Sequence, residues 1–229
     1  HAGDGRLITE YATENRVFVP IKSIPREIIH GFVAAEDQNF FNHLGVDPLA
    51  LARAVATNVL NYFRNRRFIG ASTITQQVAK NFLLDSSVTY DRKIAEMILS
   101  FRIENAYSKD RILELYLNEI FFGMGAYGIA GAALTYFDKS VNELTLAEAA
   151  YLAALPRGPA NYHPFRHTER AIARRNWVID QMVANGYVEP EEAAKAQATP
   201  LTVNPRRTAG NLFAGEYFTE EVRRELIGR

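Results

Sequence analysis

The stretch Glu36-Asp37-Gln38-Asn39-Phe40-Phe41-Asn42-His43 ends a helical run of apolar residues with two adjacent acids, and then mixes polar groups with aromatic ones. Placing carboxylates beside Phe40 and Phe41 costs desolvation energy, which tends to raise the pKa of at least one of them. A carboxylate with a raised pKa is a useful proton acceptor, so the stretch indicates a functional site. On these residues alone a second interpretation stays open, in which Asp37 caps a turn and Glu36 is solvated.

Helix signals surround this stretch on both sides, and they predict a mainly α fold. Alternating β-branched, aromatic and polar residues over 6–20 predict a small N-terminal β-hairpin. Ile94, Ile98 and Phe101 have the spacing of a buried helix face. The first predicted helix starts at Pro25 and has an apolar face that leads to Glu36; the second runs from Asp47-Pro48 to about Phe63, and the third starts at Ser72. Two more helices are predicted from Tyr90 to Tyr107 and from Ser108 to Asn118. Another starts at a capping box of Thr145 and Glu148 and stops at Pro156, the next runs from Thr168 to Asn185 before Gly186, and a further helix starts at Pro190.

The composition excludes several classes of protein. The chain has 229 residues, which suits one domain, and it has no cysteine, so neither disulfides nor thiolate metal sites can form. The five histidines do not have the spacing of zinc ligands, so the sequence does not support a zinc site, and we predict no metal ligands. Basic and acidic residues balance at 26 each, so no overall charge favours nucleic acid. No apolar run reaches the length of a bilayer span.

Charge is less even locally. Between Pro48 and Leu84 every charged residue is basic, which allows an anionic partner, although a solvated surface is the alternative. These residues are Arg53, Arg64, Arg66, Arg67 and Lys80.

The segment from Gly123 to Gly128 matches the glycine pattern of dinucleotide-binding loops, with Glu148 twenty residues further on. That motif requires a preceding strand and a second strand that ends at the acid. Here a helix precedes the glycines and Glu148 caps another helix. We therefore predict that the small residues allow helices to approach closely.

The segment from Gly70 to Asn81 carries Ser72, Gln76 and Lys80, which fall on one face of a predicted helix. An ammonium and amides near a helix N-terminus suit phosphate or sugar hydroxyls, while a solvent-facing stripe is the alternative.

Further on, Arg92 and Lys93 flank Glu96 at helical spacing, as ordinary surface ion pairs also do. Taken together, Glu36 and Glu96 indicate glycosidic chemistry, because such enzymes use two carboxylates. The added cations indicate a phosphate leaving group, which glycoside hydrolysis does not need.

The order and identity of these motifs resemble the peptidoglycan glycosyltransferase family, which comprises the first catalytic domain of class A penicillin-binding proteins and the monofunctional transglycosylases. The resemblance covers most of the chain. The matching motifs are Glu36-Asp37-x-x-Phe40-x-x-His43-x-Gly45; Gly70-x-Ser72-Thr73-Ile74-x-Gln76-Gln77-x-x-Lys80-Asn81; Arg92-Lys93-x-x-Glu96; Ile112-Leu113-Glu114-x-Tyr116-Leu117-Asn118 through Gly123 and Gly128 to Tyr136-Phe137; and Glu148-Ala149-Ala150-x-Leu152-Ala153-x-Leu155-Pro156.

The resemblance implies an enzyme that polymerises lipid II with inversion of configuration and release of polyprenyl pyrophosphate. It implies that Glu36 is the general base for the 4-hydroxyl of the acceptor sugar, and that Glu96 assists at the leaving group or orients the cations. The remaining site residues carried over from the family are Lys80, Arg92 and Lys93 for the pyrophosphate and Ser72, Gln76 and Gln77 for holding the substrate.

The resemblance also implies a lysozyme-like domain over 1–229 with two lobes, the smaller one near the membrane over about 45–110, and a linker over 200–229. The expected location is the outer face of the bacterial cytoplasmic membrane, on its periplasmic or extracellular side, with an anchor that is absent from this chain. The expected partners are lipid II, the growing glycan chain and the membrane surface. A fused transpeptidase domain would follow Arg229 in the class A pattern. Inhibition by moenomycin is expected, nucleic acid is not, and no cofactor is required, although a divalent cation is allowed.

One position departs from the family pattern. Many relatives carry an arginine shortly before Arg92, about where this chain has Val88. The phosphate contact is then absent or is supplied by Arg64, Arg66 or Arg67, which could instead rest on anionic lipid headgroups.

Two other functions stay open from the residues themselves. A lysozyme-type hydrolase or lytic transglycosylase shares the fold but needs no cationic cluster, and it would consume finished cell wall rather than lipid-linked disaccharide. In a helical scaffold that binds glycan or proteins without turnover, a buried Glu36 would have no function.

Overall fold

The computed structural model describes residues 17–64, 66, 70–83 and 89–204, and within them the chain is mainly helical, as predicted. The predicted N-terminal hairpin falls mostly on residues 6–16, which lie outside the described residues. The helices are α1 (Arg26–Glu36), α2 (Pro48–Phe63), α3 (Ile74–Leu83), α4 (Tyr90–Ala106), α5 (Lys109–Glu119), α6 (Gly128–Phe137), α7 (Leu146–Ala154), α8 (Thr168–Ala184) and α9 (Pro190–Ala198), and the strands are β1 (Phe121–Gly123) and β2 (Ala126–Tyr127).

Several helix ends lie where the sequence predicted them. Asp47 accepts two backbone hydrogen bonds of 2.9 Å at the start of α2. Ser108 and Thr145 cap α5 and α7 in the same way, and the predicted capping box of Thr145 is present. Gly186 follows α8 with a φ of +71°, a left-handed conformation that favours glycine. Local capping chemistry therefore fixes most helix boundaries.

The core that positions the site consists of α1, α7 and α8, which pack on one another. Fully buried alanines of α7, among them Ala150 and Ala153, let the neighbouring helices come close. On α1, Phe32 and Val33 are also fully buried. Because Glu36 is the last residue of α1, packing of this helix fixes the position of its carboxylate.

The glycine-rich segment forms a short antiparallel hairpin, which the sequence analysis did not predict. Gly123 and Gly125 have positive φ angles at the turn between β1 and β2. Gly128 begins α6 so close to α5 that a Cβ atom there would lie 2.6 Å from the backbone oxygen of Asn118. The predicted close approach of helices is confirmed at this glycine.

Helix α4 corrects one sequence-based prediction. Ile94, Ile98 and Phe101 do share a face, but they are 54%, 49% and 47% exposed rather than buried. The buried side of α4 instead carries Glu96 and Ser100 among its residues. The prediction was wrong because helical spacing identifies an apolar face without showing whether that face points inward.

Helix α2 also presents an apolar surface outward, and only Ala54 of this helix is buried. We call the exposed apolar residues of this helix the α2 apolar surface, which consists of Leu49, Leu51, Val55, Val59, Leu60, Tyr62 and Phe63. Among the described residues, no helix combines the length and apolar character that crossing a bilayer requires.

Candidate active site

Glu36 lies at the end of α1 with its side chain half-buried. The side-chain amide of Gln77 on α3 donates a 2.8 Å hydrogen bond to its carboxylate. Burial raises the pKa of the Glu36 carboxyl above the ordinary glutamate value, against smaller lowering effects of the Gln77 hydrogen bond and the charges of Arg174 and Arg157. The predicted upward shift of a carboxyl pKa in this stretch is therefore found at Glu36.

Asp37, the second acid of the pair, has a structural role. Its buried carboxylate accepts a 3.0 Å hydrogen bond from the backbone N–H of Ile74 at the start of α3. It also lies 2.9 Å from Nε2 of His43, whose Nδ1 accepts a hydrogen bond from the backbone N–H of Gly45. Since Nδ1 is the acceptor, Nε2 carries the proton that His43 donates to Asp37. Asp37 thus holds the start of α3, whereas the simpler sequence interpretation had it cap a turn beside a solvated Glu36.

Gly45 closes this arrangement against α4. Its φ is +93°, and a Cβ atom there would lie 2.8 Å from the backbone of Ser100. The hydroxyl of Thr73 donates a 2.6 Å hydrogen bond to the carbonyl of Gly45. The Glu36 to Gly45 motif therefore joins α1, α3 and α4 and holds the first residue of the motif in place.

The start of α3 corrects a second prediction. The helix begins at Ile74 rather than Ser72, because Thr73 and Gln76 form a reciprocal cap. The Thr73 hydroxyl accepts a hydrogen bond from the backbone N–H of Gln76, and the side-chain amide oxygen of Gln76 accepts one from the backbone N–H of Thr73. Gln76 is consequently buried, whereas Ser72 and Lys80 are exposed. The predicted shared polar face of Ser72, Gln76 and Lys80 is not formed.

Lys93 connects two of the predicted site residues. Its ammonium donates a 2.9 Å hydrogen bond to the Ser72 hydroxyl and forms a 2.5 Å ion pair with Glu96. Glu96 is buried and its backbone carbonyl accepts from the Ser100 hydroxyl, so this acid is firmly held. Arg92 is half-buried, with a buried Nε that has no hydrogen-bond partner within the described part of the chain.

A groove of about 320 Å³ joins the two parts of the site. Its lining includes Glu36, Arg53 and Ser72, so the base candidate and the Lys93 contact residue share one groove. Lys80 follows Gln77 by three residues on α3, which makes them neighbours on the helix surface. The structure thus places Glu36 and Ser72 in one groove lining, with Gln77 bonded to Glu36 and Lys93 bonded to Ser72. The other predicted site residues, like Gln77 and Lys93 themselves, are not part of that lining: Gln76, Lys80, Arg92 and Glu96.

Two basic residues near Glu36 were missed by the sequence analysis. Arg174 of α8 and Arg157, which follows α7, both lower the pKa of Glu36 through their charge. A signal existed for Arg174, because it follows the buried Ala171 by three residues and precedes the buried Val178 by four. An arginine on the apolar face of a helix indicates a special role.

No group of three or more histidines and acids that could hold a metal ion occurs within the part of the chain that the structure describes.

Over residues 4–183 the chain matches the family model described as Transglycosylase. It belongs to the transglycosylase family. The predicted family and the prediction of a peptidoglycan glycosyltransferase enzyme are therefore confirmed.

The transglycosylase relatives include penicillin-binding protein 1A of Rickettsia felis, 51% identical over 227 residues, which are 99% of this chain and 29% of the relative. Penicillin-binding protein 1A of Aquifex aeolicus is 49% identical over 98% of this chain and 30% of its own length. The crystal structure of penicillin-binding protein 1A from Haemophilus influenzae matches 99% of this chain and 23% of that chain, with a TM-score of 0.60 and 28% identity. The chain spans about three tenths of the curated relatives it matches.

Proposed function

We propose that this transglycosylase polymerises lipid II into glycan strands with inversion at the anomeric carbon. The 4-hydroxyl of the acceptor N-acetylglucosamine loses its proton to Glu36 as its oxygen bonds to the anomeric carbon of the lipid-linked chain. The bond from that carbon to the pyrophosphate breaks, and its electron pair leaves with the polyprenyl pyrophosphate. The observation that carries this proposal is the groove shared by Glu36 and Ser72, to which Lys93 is bonded.

Glu36 has the properties of the base in this scheme. Burial raises the pKa of its carboxyl, which makes the carboxylate a better proton acceptor. The side-chain amide of Gln77 donates a hydrogen bond to one oxygen of the Glu36 carboxylate and so orients that carboxylate. The carboxylate of the neighbouring Asp37 already accepts hydrogen bonds from the Ile74 N–H and from His43, so Asp37 is not a second candidate for the base.

The cations of α3 and α4 would receive the leaving group. Pyrophosphate gains charge as its bond to the sugar breaks, and fixed cations in a partly dry groove stabilise that charge better than water does. Lys93 is fixed by Glu96 and Ser72, and Arg92 precedes it on α4. Lys80 would complete this set.

Substrate contacts are divided differently from the prediction. We propose that Ser72 and Gln77 contact the substrate, because Ser72 lines the groove and Gln77 touches Glu36. Gln76 would act indirectly, since its side-chain amide oxygen is already bonded within the cap of α3. Glu96 would orient Lys93 rather than transfer a proton, because it is buried in an ion pair with that lysine.

The setting of the reaction is proposed from the same family membership. We propose action at the outer face of the cytoplasmic membrane, with an anchor and a transpeptidase domain in the longer protein. The smaller lobe over about 45–110 would face the membrane, which the α2 apolar surface supports. The reaction as proposed uses side chains alone and needs no cofactor, and moenomycin would compete for the groove.

The test is a gel assay with labelled lipid II that compares the parent chain with Glu36→Gln. General base catalysis contributes about 100- to 10,000-fold, so the variant should lose at least about 99% of polymerisation. Glu27→Gln is the matched control, because Glu27 is an exposed acid on the same helix and its loss should leave activity unchanged. Full polymerisation by Glu36→Gln, with both variants folded, would refute the proposal.

A further inference from the structure

A second cavity, open and of about 500 Å³, lies beside α8. We call it the arginine cavity, and its lining consists of Arg157, Tyr162, Arg170, Ala173, Arg174 and Trp177. No acid lines it, and none of the ion pairs found among the described residues involves its arginines. A cavity with cationic and aromatic walls and no acid of its own suits an anionic ligand.

Arg174 is the central residue of this cavity. Its side chain is buried, with the residue 9% exposed, yet its Nε and Nη2 atoms have no hydrogen-bond partner among the residues that the structure describes. Burying an unpaired cation costs free energy: burial lowers the pKa of the Arg174 guanidinium and the charge of Arg157 lowers it further, against smaller raising effects of Tyr162 and Glu36. An anion bound between the two guanidinium groups would remove both penalties.

The adjacent residue shows that the fold can satisfy a buried arginine by itself. Arg175 is only 1% exposed, and its guanidinium donates to the backbone oxygens of Thr199 and Gln197 at 2.7 and 2.8 Å. It also donates to the side chain of Asn176. Arg175 thus has a structural role, whereas the donors of Arg174 are left for a ligand.

Trp177 fixes the orientation of these donors. The Arg174 guanidinium carbon lies 3.8 Å from the centroid of the Trp177 ring. Stacking of this kind holds the planar guanidinium group in one plane. A preoriented guanidinium with two free donors matches the two oxygens of a carboxylate.

The arginine cavity approaches Glu36 from a different side of the fold than the proposed pyrophosphate cations. Arg174 belongs to α8, which packs on α1, whereas Lys93 belongs to α4, which packs on α3. The charges of Arg174 and Arg157 act on Glu36, so the cavity is near the base. A substrate part held here would lie on the acceptor side of the reaction.

We propose that the arginine cavity binds a carboxylate on the peptide of the acceptor disaccharide and so positions the acceptor hydroxyl at Glu36. This inference rests on the proposed function, because it takes the ligand from the substrate of that reaction. Peptides on the muramoyl sugars of peptidoglycan precursors carry free carboxylates, while the sugars themselves provide surfaces for Tyr162 and Trp177. Arg174 is then a specificity-determining residue.

The chain offers a direct probe, because Trp177 is its single tryptophan. The 229-residue chain is titrated with a soluble disaccharide-peptide that has free carboxylates, and separately with the same compound after amidation of those carboxylates, while Trp177 fluorescence is recorded. The free acid should produce a saturable change and the amide none. Equal responses to both compounds, or no response to the acid, would overturn the inference.

Three variants assign the response to the cavity. Arg174→Gln should weaken binding of the free acid at least about tenfold, because it removes charged hydrogen-bond donors. Arg157→Gln, at an exposed position, should weaken it as well and decides the matter if Arg174→Gln does not fold. Arg166→Gln removes the same charge from an exposed residue outside the cavity lining and should bind as the parent does. Unchanged binding by folded Arg174→Gln or Arg157→Gln would contradict the assignment.

Two further measurements separate this inference from the proposed function. Inorganic pyrophosphate should not displace the free acid at similar concentrations, and efficient displacement would assign the cavity to the leaving group instead. Glu36→Gln should keep the fluorescence response while losing polymerisation. A parent chain that polymerises lipid II but ignores the carboxylate refutes the inference alone, and a chain that cannot polymerise refutes the proposed function.

Discussion

The Gln77 side-chain amide and the Glu36 carboxylate are joined by a 2.8 Å hydrogen bond that links α3 to the end of α1. The bond stabilises the ionised form of Glu36 and acts against burial, which is the larger effect on its pKa. The position of the proposed base and part of its proton affinity therefore depend on this neighbouring side chain. The same helix α3 is held at its start by Asp37, so both acids of the motif contribute to the geometry.

The first prediction concerns the pH dependence of polymerisation. Glu36 must be ionised to accept a proton, so the acid limb of kcat/KM should lie above the ordinary glutamate pKa of 4.5. Gln77→Leu removes a bond to the ionised form and should move this limb to still higher pH. The measurement is a pH profile with labelled lipid II.

The control for Gln77→Leu is Gln197→Leu. This change removes another amide-to-carboxylate hydrogen bond, 2.7 Å to Asp180, at the packing of α8 with α9. Its acid limb should coincide with that of the parent chain. A Gln77→Leu limb that stays in place or moves to lower pH would show that the bond does not tune the base.

The second prediction concerns stability and follows from the same pKa. The pKa of Glu36 is higher in the folded state than in the unfolded state. The contribution of Glu36 to stability is therefore fully present at pH values below its unfolded-state pKa, and it is lost as the pH rises through its folded-state pKa. Glu36→Gln cannot ionise, so it should be more stable than the parent at neutral pH, with a difference that shrinks toward pH 4. Urea unfolding across this range tests it, and a less stable variant at neutral pH would contradict the raised pKa.

Signals carried by adjacent residues were readable from the sequence. The caps at Asp47, Ser108 and Thr145 each need only a side chain and a backbone group three or fewer residues away. The upward pKa shift in the motif also followed from local composition, and Glu36 shows it. The mainly α fold could be predicted for the same reason, because each helix has its own boundary signals.

Features that depend on packing between distant segments were not readable. The spacing of Ile94, Ile98 and Phe101 gave the correct face of α4, but only the contact of Ser100 with Gly45 shows which side is inward. Arg174 acts on Glu36 although the two residues are more than a hundred positions apart in the sequence. The cap formed by Thr73 and Gln76 is different, because its two residues are only three positions apart; it was readable from the sequence and was missed.

The third prediction tests the structural role of Asp37. Asp37→Ala removes the acceptor of the Ile74 N–H and of His43, and leaves both donors buried, so it should lower the free energy of unfolding by about 2 to 4 kcal/mol. Asp47→Ala removes a helix cap and should cost about 1 kcal/mol. Denaturant unfolding of both variants checks this order, and equal losses would show that Asp37 is merely another cap.

The fourth prediction concerns Gly45. Gly45→Ala combines a positive φ with a Cβ atom 2.8 Å from the backbone of Ser100, so α4 must shift. We expect a loss of at least about 2 kcal/mol in unfolding free energy and weakened activity. Gly125→Ala has a similar φ of +73° but open space, so it should cost only about 1 kcal/mol and retain activity. Equal effects would mean that the contact with α4 is unimportant.

The fifth prediction assigns the α2 apolar surface to a membrane. Phe63 is 79% exposed at the end of α2, and the exposed Arg64 and Arg66 follow it. Phe63→Gln should reduce binding to anionic vesicles about tenfold or more, because burial of such a side chain is worth about 1.5 to 3 kcal/mol. Neutralising Arg64 and Arg66 should weaken binding further and reduce its sensitivity to salt.

The control for the membrane experiment is Phe165→Gln. Phe165 is 59% exposed and lies between α7 and α8, so it tests exposure of a phenylalanine without the α2 position. Vesicle flotation should give parent-like binding for this variant. If Phe63→Gln and Phe165→Gln bound equally well, the exposed apolar residues of α2 would not be a lipid-contacting surface, and the proposed placement of the smaller lobe against the membrane would lose its support.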